Sequence, residues 1–299
     1  FLSELSKSSL FFDNFYFNPT ILFVISFIGL ILIGTLLLML PRTTLHAPLS
    51  FVDALFMATS AVCITGLTVA DISTNFSLFG QSVILALIQV GGLGIMTFTG
   101  FFGYFFSGGF SYKNQLMFGE ILGEHKLNSV ISTLLTIISI TLLFEFIGAA
   151  FIFFSLDKEQ FTTIGEQVFF SVFHSISSFC NSGFSILPEG IGNDNYRFNY
   201  GFQIVLALIF VLGGMGFGTV YNFYTYVKSQ IQSLFQAIVN KQRYKHKAQQ
   251  FSFNTKFIVL CNMIVLFLAT VSYYVMEQNY TLTEDKTAAG EWVTSFFMA

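Results

Sequence analysis

Two short stretches of this chain place peptide carbonyl groups where they could bind a cation. They are Val62-Cys63-Ile64-Thr65, followed by Gly66, and Phe179-Cys180-Asn181-Ser182, followed by Gly183. Glycine adopts backbone angles that other residues avoid, so the carbonyls ahead of it can be aimed in one direction. Carbonyl oxygens arranged in this way replace the hydration shell of a monovalent cation. We therefore expect the carbonyls of both stretches to line an ion path.

The segments around the first stretch predict a re-entrant loop. A helix needs about 20 apolar residues to cross a bilayer, so the apolar segment from Phe51 to Ala61 is too short. It lies between two segments that are long enough, Ile21 to Leu40 and Phe79 to Phe106. Non-helical backbone at membrane depth is tolerated only where it is buried in protein or lines a water-filled cavity. A half-helix in this place would also direct its partly negative C-terminal end at the ion path.

The same order of segments occurs a second time. Superposing Gly183 on Gly66 also superposes Cys180 on Cys63, Ser177 on Ser60 and Phe173 on Phe56. The span after the second stretch, Tyr200 to Val227, carries Gly213-Gly214-Met215-Gly216, and the first repeat carries Gly91-Gly92-Leu93-Gly94 at nearly the same place. An internal repeat of this kind decides the architecture. The four glycines between Gly91 and Gly100 allow either close helix packing or a break, and both interpretations stay open.

Composition excludes an ordinary soluble protein. Hydrophobic residues make up 54% of the chain and charged residues only 10%, with a mean hydropathy of +0.71. With the N-terminus inside, most lysines and arginines fall on the cytoplasmic side, as the positive-inside rule requires. The stretch 228–256 is the most basic, with no acidic residue and with Lys228, Lys241, Arg243, Lys245, Lys247 and Lys256. It could set topology alone, contact anionic headgroups or dock a soluble partner.

The residues around Gly66 carry a resemblance to a known family. Ala58-Thr59-Ser60-Ala61-Val62-Cys63-Ile64-Thr65-Gly66-Leu67-Thr68 and Gln89-Val90-Gly91-Gly92-Leu93-Gly94-Ile95-Met96-Thr97 resemble the membrane subunit of the Trk/Ktr/HKT superfamily of potassium transporters. The bacterial Ktr-type sodium-dependent potassium uptake subunit is the most similar branch. The resemblance implies an all-α membrane protein of M1–P-loop–M2 repeats around a pseudo-fourfold pore. It implies two complete repeats here and the start of a third, since Phe297-Met298-Ala299 echoes Phe56-Met57-Ala58.

The repeats divide the chain into six expected segments. These are an N-terminal segment (1–19), the first repeat (20–106), a cytoplasmic linker (107–126), the second repeat (127–227), a basic cytoplasmic linker (228–256) and an incomplete third repeat (257–299).

The resemblance also implies a function, which is potassium uptake across the plasma membrane through a central pore. Its selectivity filter would bind K⁺ chiefly through the carbonyls of Ile64, Thr65, Asn181 and Ser182, with sodium dependence left open. A cytosolic nucleotide-binding regulatory ring of the RCK type, a homodimer and a multi-pass location in the bacterial inner membrane are implied as well. No organic cofactor and no nucleic acid is expected. Since Asn181-Ser182 departs from the hydrophobic–Thr pair Ile64-Thr65, the alternative is a poorly selective Na⁺/K⁺ channel or symporter of the same superfamily.

Other charged residues leave alternatives open. Glu145 lies inside the predicted span Leu127 to Leu156, where an ionisable residue is a functional hypothesis by default; its alternative is a structural bond to a neighbouring helix. The acidic residues of the outer loops either concentrate cations at the pore mouth or only keep the loops solvated. An enzyme is not expected, because metal-ligand spacing, a nucleophile elbow and a phosphate loop are all missing from the sequence. A non-conducting scaffold built on the same fold is the remaining alternative.

Overall fold

The computed structural model describes residues 19–93, 130–156, 160–188, 190, 193–215, 217–239, 253–284 and 287–299. Residues 1–18 of the predicted N-terminal segment, the end of the first repeat, the first cytoplasmic linker and residues 240–252 of the basic linker lie outside these ranges. The described residues are largely helical, and their one β pairing is an isolated bridge between Thr44 and Phe76. This agrees with the predicted all-α class. The chain divides into two compact units. The first comprises Phe1–Leu143 and Cys180–Gly190, and the second comprises Phe144–Phe179 and Ile191–Ala299.

The helices are numbered in chain order. They are α1 (Pro19–Leu38), α2 (Phe51–Val62), α3 (Ile72–Asn75), α4 (Leu78–Gly92), α5 (Val130–Ser155), α6 (Ile164–Phe179), α7 (Asp194–Arg197), α8 (Tyr200–Gly214), α9 (Phe217–Val239), α10 (Phe253–Glu277) and α11 (Ala288–Met298), with a 3₁₀ turn at Thr281–Glu284.

One predicted span is not a single continuous helix, so that prediction was wrong. The segment Tyr200 to Val227 contains two helices, α8 and α9, rather than one. Helix α8 ends after Gly213-Gly214, and the N–H of Met215 caps it on the carbonyls of Val211 and Gly213. Helix α4 ends in the same way, after Gly91-Gly92, with Leu93 as its cap. Both glycine clusters therefore mark helix ends, because glycine weakens a helix interior.

Two of the described helices have the length and composition of membrane spans. Among the described residues, segments of α5 (Ile138–Ser155) and α10 (Thr255–Glu277) are long and apolar enough to cross a membrane, and α2, α4 and α8 are shorter apolar helices. Helix α10 exposes large apolar side chains such as Val265 and Phe267, which lipid would cover. On α10 the hydroxyl of Thr270 donates to the carbonyl of Leu266 at 2.7 Å, a bond within the helix that gives this polar group a partner.

In the first unit, α1 packs against α2 and α4, and α2 packs against α4. The approach is closest at Gly34, where an added Cβ would lie 2.8 Å from the Leu87 side chain and 3.3 Å from Ala58 Cβ. The loop after α1 is tied to the chain before α4, because Ser77 N–H donates to the Thr43 carbonyl at 2.9 Å. These contacts hold α2 in place between two longer helices.

In the second unit, α8 packs against α6 and α11, and α10 packs against α9 and α11. The α6 side chain of Gln167 donates to the carbonyl of Phe153 on α5 at 3.0 Å. On α10 and α11, the rings of Tyr274 and Trp292 stack with their centroids 4.3 Å apart. Helix α6 is thus fixed by hydrogen bonds to α5 as well as by packing on α8.

Candidate functional site

The two predicted cation-binding stretches have the same backbone conformation. Each follows the C-terminus of a short helix, α2 or α6, and continues as extended chain; we call residues 63–68 the first turn and residues 180–185 the second turn. Ile64 and Asn181 lie in the left-handed region, with φ of 57° and 56°. Gly66 and Gly183 follow in the same region, with φ of 77° and 74°. The alignment made from the sequence therefore pairs residues of equivalent conformation.

Hydrogen bonds explain how the first turn ends α2. The N–H of Thr65 donates to the carbonyl of Ser60 at 2.8 Å, and the N–H of Ile64 donates to that of Ala61 at 3.3 Å. This pairing is a Schellman motif, which requires a left-handed residue just after the helix. Glycine usually fills that position, and a β-branched residue with positive φ is an outlier. Ile64 therefore holds backbone strain, of the order of 1–3 kcal/mol, that Asn181 largely avoids.

A side chain that the sequence reasoning did not single out as a site residue secures the first turn. The buried hydroxyl of Ser60 accepts a hydrogen bond from the N–H of Leu67 at 2.9 Å. This bond joins the end of α2 to the extended chain that leaves the turn. The only signal in the sequence was the pairing of Ser60 with Ser177 in the repeat, and it did not indicate a role.

The carbonyl groups at the end of α2 lack backbone donors within the part of the chain that the structure describes, and that of Val62 lies against the backbone of Gly91. Within the described ranges, no backbone N–H donates to the carbonyls of Val62, Cys63, Ile64 or Thr65. The last carbonyls of a helix lack intrahelical partners and carry the negative end of the helix dipole. Val62 is the last residue of α2 and has a buried side chain. A group of neutral oxygens with net negative potential suits a cation.

The two turns lie in direct contact. A Cβ added to Gly66 would collide with the carbonyl oxygen of Ser182, and a Cβ added to Gly183 would lie 3.8 Å from Gly66 Cα. Only the missing side chain of Gly66 permits this approach of backbone to backbone. A cavity of about 340 Å³ opens beside the contact, with Thr68 of the first turn and Ser185 of the second among its walls. The structure therefore brings Gly66 and Gly183 together.

Glycines at the end of α4 back both turns. A Cβ on Gly91 would collide with the carbonyl oxygen of Val62, and one on Gly92 would collide with the Sγ atom of Cys180. The α4 backbone therefore touches the C-terminal end of α2 and the first residue of the second turn. Since α4 also ends at Gly92, this glycine pair serves close packing and helix termination together.

The N-termini of the short helices α2 and α6 resemble each other, as their C-termini do. Helices α2 and α6 contain 12 and 16 residues, so at 1.5 Å per residue they are about 18 and 24 Å long, less than a bilayer core of about 30 Å. Ser50 caps α2 by accepting from the N–H of Asp53 at 3.2 Å, and Thr163 caps α6 by accepting from the N–H of Glu166 at 3.2 Å. An acidic residue in the first turn of a helix is favoured by the helix dipole.

Two of the outer acidic residues therefore have local structural partners. The carboxylate of Glu166 accepts from the hydroxyl and the N–H of Thr162, at 2.6 and 3.0 Å. These bonds, the hydroxyl bond first, hold the pKa of Glu166 below its usual range. Asp71 caps α3 by accepting from the N–H groups of Ser73 and Thr74. This pattern supports the structural interpretation of these acids beside the electrostatic one.

The remaining predicted site residues have distinct surroundings. Phe179 is the last residue of α6 and is buried. Neither Cys63 nor Cys180 forms a disulfide, and the first is exposed whereas the second is buried. Glu145 is buried on α5, and its backbone carbonyl accepts the Ser175 hydroxyl of α6 at 2.7 Å.

The contact at Glu145 has a neighbour one turn further along α5. A Cβ added to Gly148 would lie 2.5 Å from the Ser175 hydroxyl and 2.7 Å from the side chain of Ile209. Helices α5, α6 and α8 therefore meet closely here, which fits the structural alternative for Glu145. A functional role for its carboxyl group stays a prediction.

Comparison with known proteins gives consistent matches. The TrkH family, described as a cation transport protein, matches residues 10–285. The Ktr system potassium uptake protein B of Bacillus subtilis is 31% identical over 263 residues, which cover 88% of this chain and 54% of that protein. Protein B of the same system from Vibrio alginolyticus is 29% identical over 283 residues, covering 92% of this chain and 56% of that protein.

The name of a third relative includes sodium as well as potassium. The potassium/sodium uptake protein NtpJ of Enterococcus hirae is 28% identical over 285 residues, covering 94% of this chain and 58% of that protein. The chain thus spans about half the length of these curated relatives.

Proposed function

The chain belongs to the TrkH family of cation transport proteins, and from this premise we propose that it forms part of a potassium-uptake protein. The family transports cations, so the chain is not an enzyme. The observation that carries the proposal is the contact between the two equivalent turns at Gly66 and Gly183. A site made of carbonyl groups from separate segments requires that those segments meet.

The proposed mechanism uses the backbone rather than side chains. K⁺ loses its water to the carbonyls of Ile64, Thr65, Asn181 and Ser182, which replace its hydration shell. The left-handed residues and the glycines set the direction of these peptide groups, and the C-terminal end of α2 adds negative potential. Two turns cannot enclose a pore, so the pseudo-fourfold arrangement needs further turns of this kind from the full-length protein.

A poorly selective Na⁺/K⁺ pathway is the second candidate. It is favoured by the difference between the turns, since Asn181-Ser182 occupies the places of Ile64-Thr65. Sequences that differ at equivalent positions give the ion a less symmetric set of neighbours. The printed name of the Enterococcus hirae relative, a potassium/sodium uptake protein, is compatible with this candidate. Coupling of K⁺ uptake to Na⁺ is a further part of this second candidate.

The remaining parts of the proposal concern location and partners. The protein is a multi-pass protein of a bacterial inner membrane, with the basic stretch 228–256 on the cytoplasmic side. A cytosolic RCK-type ring gates it, and two copies form a homodimer. The positive-inside charge distribution supports the location. The partners are supported by the names of two relatives, each of which is protein B of a Ktr system.

Uptake and flux measurements test the proposal. The full-length protein is expressed in a bacterial host that lacks its own potassium uptake systems, and growth is followed as external K⁺ is lowered. The purified protein in liposomes is then given a K⁺ or a Na⁺ gradient. The proposal expects growth rescue and a K⁺ flux that exceeds the Na⁺ flux, with the preference reduced by Gly66→Ser and by Gly183→Ser.

The outcomes separate the candidates. Equal K⁺ and Na⁺ fluxes would favour the poorly selective pathway. Absence of flux for either ion from a folded, monodisperse preparation would refute both and support the scaffold alternative. A K⁺ preference unchanged by both serine variants would show that these turns do not set selectivity.

A further inference from the structure

A second cavity lies in the other compact unit, beside the break between α8 and α9. Its volume is about 520 Å³, and its walls come from α8, α9 and α10. Leu212 and Met215 contribute from α8, and Phe223 from α9. The volume lies within the range of small-ligand sites. The lining is almost wholly apolar, so the occupant must be apolar where it touches these walls.

Helix α10 makes one end of the cavity wall cationic and the rest of it apolar. Its contributions include Lys256, Val259, Leu260 and Met263, which recur at the spacing of one helix face. At 1.5 Å per residue the stripe is roughly 10 Å long. The stripe therefore has one cationic side chain at its N-terminal end, followed by three apolar side chains along the helix. A ligand that matches this stripe has an anionic head and a hydrocarbon tail.

One polar group of the cavity wall, the Thr255 hydroxyl, has a partner within the protein. Asn222 donates from its Nδ2 atom to the Thr255 hydroxyl at 2.8 Å, which links α9 to α10. The side chain of Lys256 differs, since it is exposed and no acidic residue among the described ones pairs with it. A lysine at the end of a membrane helix extends its ammonium group to the interface. Anionic headgroups of the cytoplasmic leaflet lie there and attract such a charge.

From the stripe and from a lysine with no acidic partner among the described residues, we infer that this cavity binds an anionic membrane phospholipid. One acyl chain occupies the groove along Val259, Leu260 and Met263, and the phosphate meets Lys256. The acyl chain passes Met215, the cap residue of α8. The lipid therefore lies against the junction between α8 and α9. The inference goes beyond ion transport, and its test measures lipid binding rather than flux.

The chain offers matched variants for a test. Leu260 and Leu268 both lie on α10 with exposures of 58% and 57%, and only Leu260 lines the cavity. Lys256 has a control in Lys228 on α9, whose ammonium group lies 5.5 Å from the Tyr224 ring centroid and which does not line the cavity. Native mass spectrometry of the full-length protein counts bound lipids during titration with phosphatidylglycerol or with phosphatidylcholine of the same chains.

Phosphatidylglycerol is expected to occupy one site per protomer more tightly than phosphatidylcholine. Lys256→Gln lowers its affinity about fivefold and removes the preference, since one basic residue near a membrane surface contributes a factor of this size. Leu260→Trp fills the groove and lowers the affinity for both lipids at least tenfold. Lys228→Gln and Leu268→Trp leave both affinities unchanged.

Three results would overturn the inference. Equal affinity for the two lipids, with no effect of Lys256→Gln, would describe a general acyl groove. An effect of the control variants as large as that of the cavity variants would place the lipid elsewhere. No retained lipid, together with protection of a cysteine placed at position 260 from a lipid-soluble thiol reagent, would show that a protein segment covers the cavity.

Discussion

Replacing Gly66 by alanine should damage the site more than replacing Gly183, although the two glycines have nearly equal φ. Both substitutions force an L-residue into the left-handed region, at a cost of about 1–2 kcal/mol. The surroundings differ. A Cβ at position 66 would collide with the Ser182 carbonyl oxygen, whereas the nearest described atom to a Cβ at position 183 is 3.8 Å away.

The collision at position 66 is difficult to relieve. A backbone carbonyl cannot move aside as the end of a flexible side chain can, so overpacking adds about 1–3 kcal/mol. Gly66→Ala should therefore destabilise the protein by roughly 2–5 kcal/mol and Gly183→Ala by about 1–2 kcal/mol. Because Ser182 is itself proposed to bind the ion, the collision should also reduce uptake more than the loss of stability alone would.

Two other glycines separate the contributions. Gly190 has φ of 70° with no described atom within 4 Å of an added Cβ, so Gly190→Ala reports conformational strain alone. Gly29 lies on α1 with neither constraint, and Gly29→Ala should be neutral or stabilising by up to about 1 kcal/mol. The measurements are the melting temperature of the purified full-length protein and its K⁺ uptake. A Gly183→Ala variant as unstable as Gly66→Ala would refute the contact between Gly66 and Ser182 as the deciding constraint.

Three further predictions concern the supports of the turns. Ser60→Ala leaves the Leu67 N–H without its acceptor, at a cost of about 1–3 kcal/mol, and should lower uptake and melting temperature, while Ser60→Thr keeps the hydroxyl and should retain both; equal losses would contradict the role of this bond. Ile64→Asn removes left-handed strain of about 1–2 kcal/mol and should raise the melting temperature; a fall would mean that packing of Ile64 outweighs strain. The folded-state pKa of Glu166 is lowered by the bonds from Thr162, so its carboxylate contributes stability at neutral pH that is lost as the pH falls through this pKa. The difference in melting temperature between the wild type and Glu166→Gln should thus shrink on acidification, and a difference that stays constant into the acidic range would refute the linkage.

The positions of the short helices and turns were predictable because their signals are local. A segment too short to span, followed by a glycine, is visible in the sequence between Phe51 and Gly66. The structure ends α2 at Val62, one residue beyond the predicted end of this segment at Ala61. The capping of α2 was also available in principle, since Ser50 and Asp53 have the spacing of a capping box.

The support of the turns was not predictable, because it depends on tertiary contacts. Nothing in an isolated sequence indicates that Ser60 bonds Leu67, or that Gly92 leaves room for Cys180. Propensity also argues against the observed conformation of Ile64, since β-branched residues rarely take positive φ. The sequence predicted one continuous span from Tyr200 to Val227, and only the structure shows two separate helices there.

The comparison of Ile64 with Asn181 bears on what the two turns have in common. Asparagine tolerates the left-handed region, whereas isoleucine resists it, yet their φ angles differ by only 1°. The surrounding structure must therefore impose the angle at Ile64, and the bond from Leu67 to Ser60 together with the close approach of Gly91 to Val62 provides the means. Side chains differ at the equivalent positions while the directions of the peptide groups agree. That is the property that an ion site made of carbonyl oxygens depends on, so substitutions that keep these φ angles should be tolerated better than those that change them.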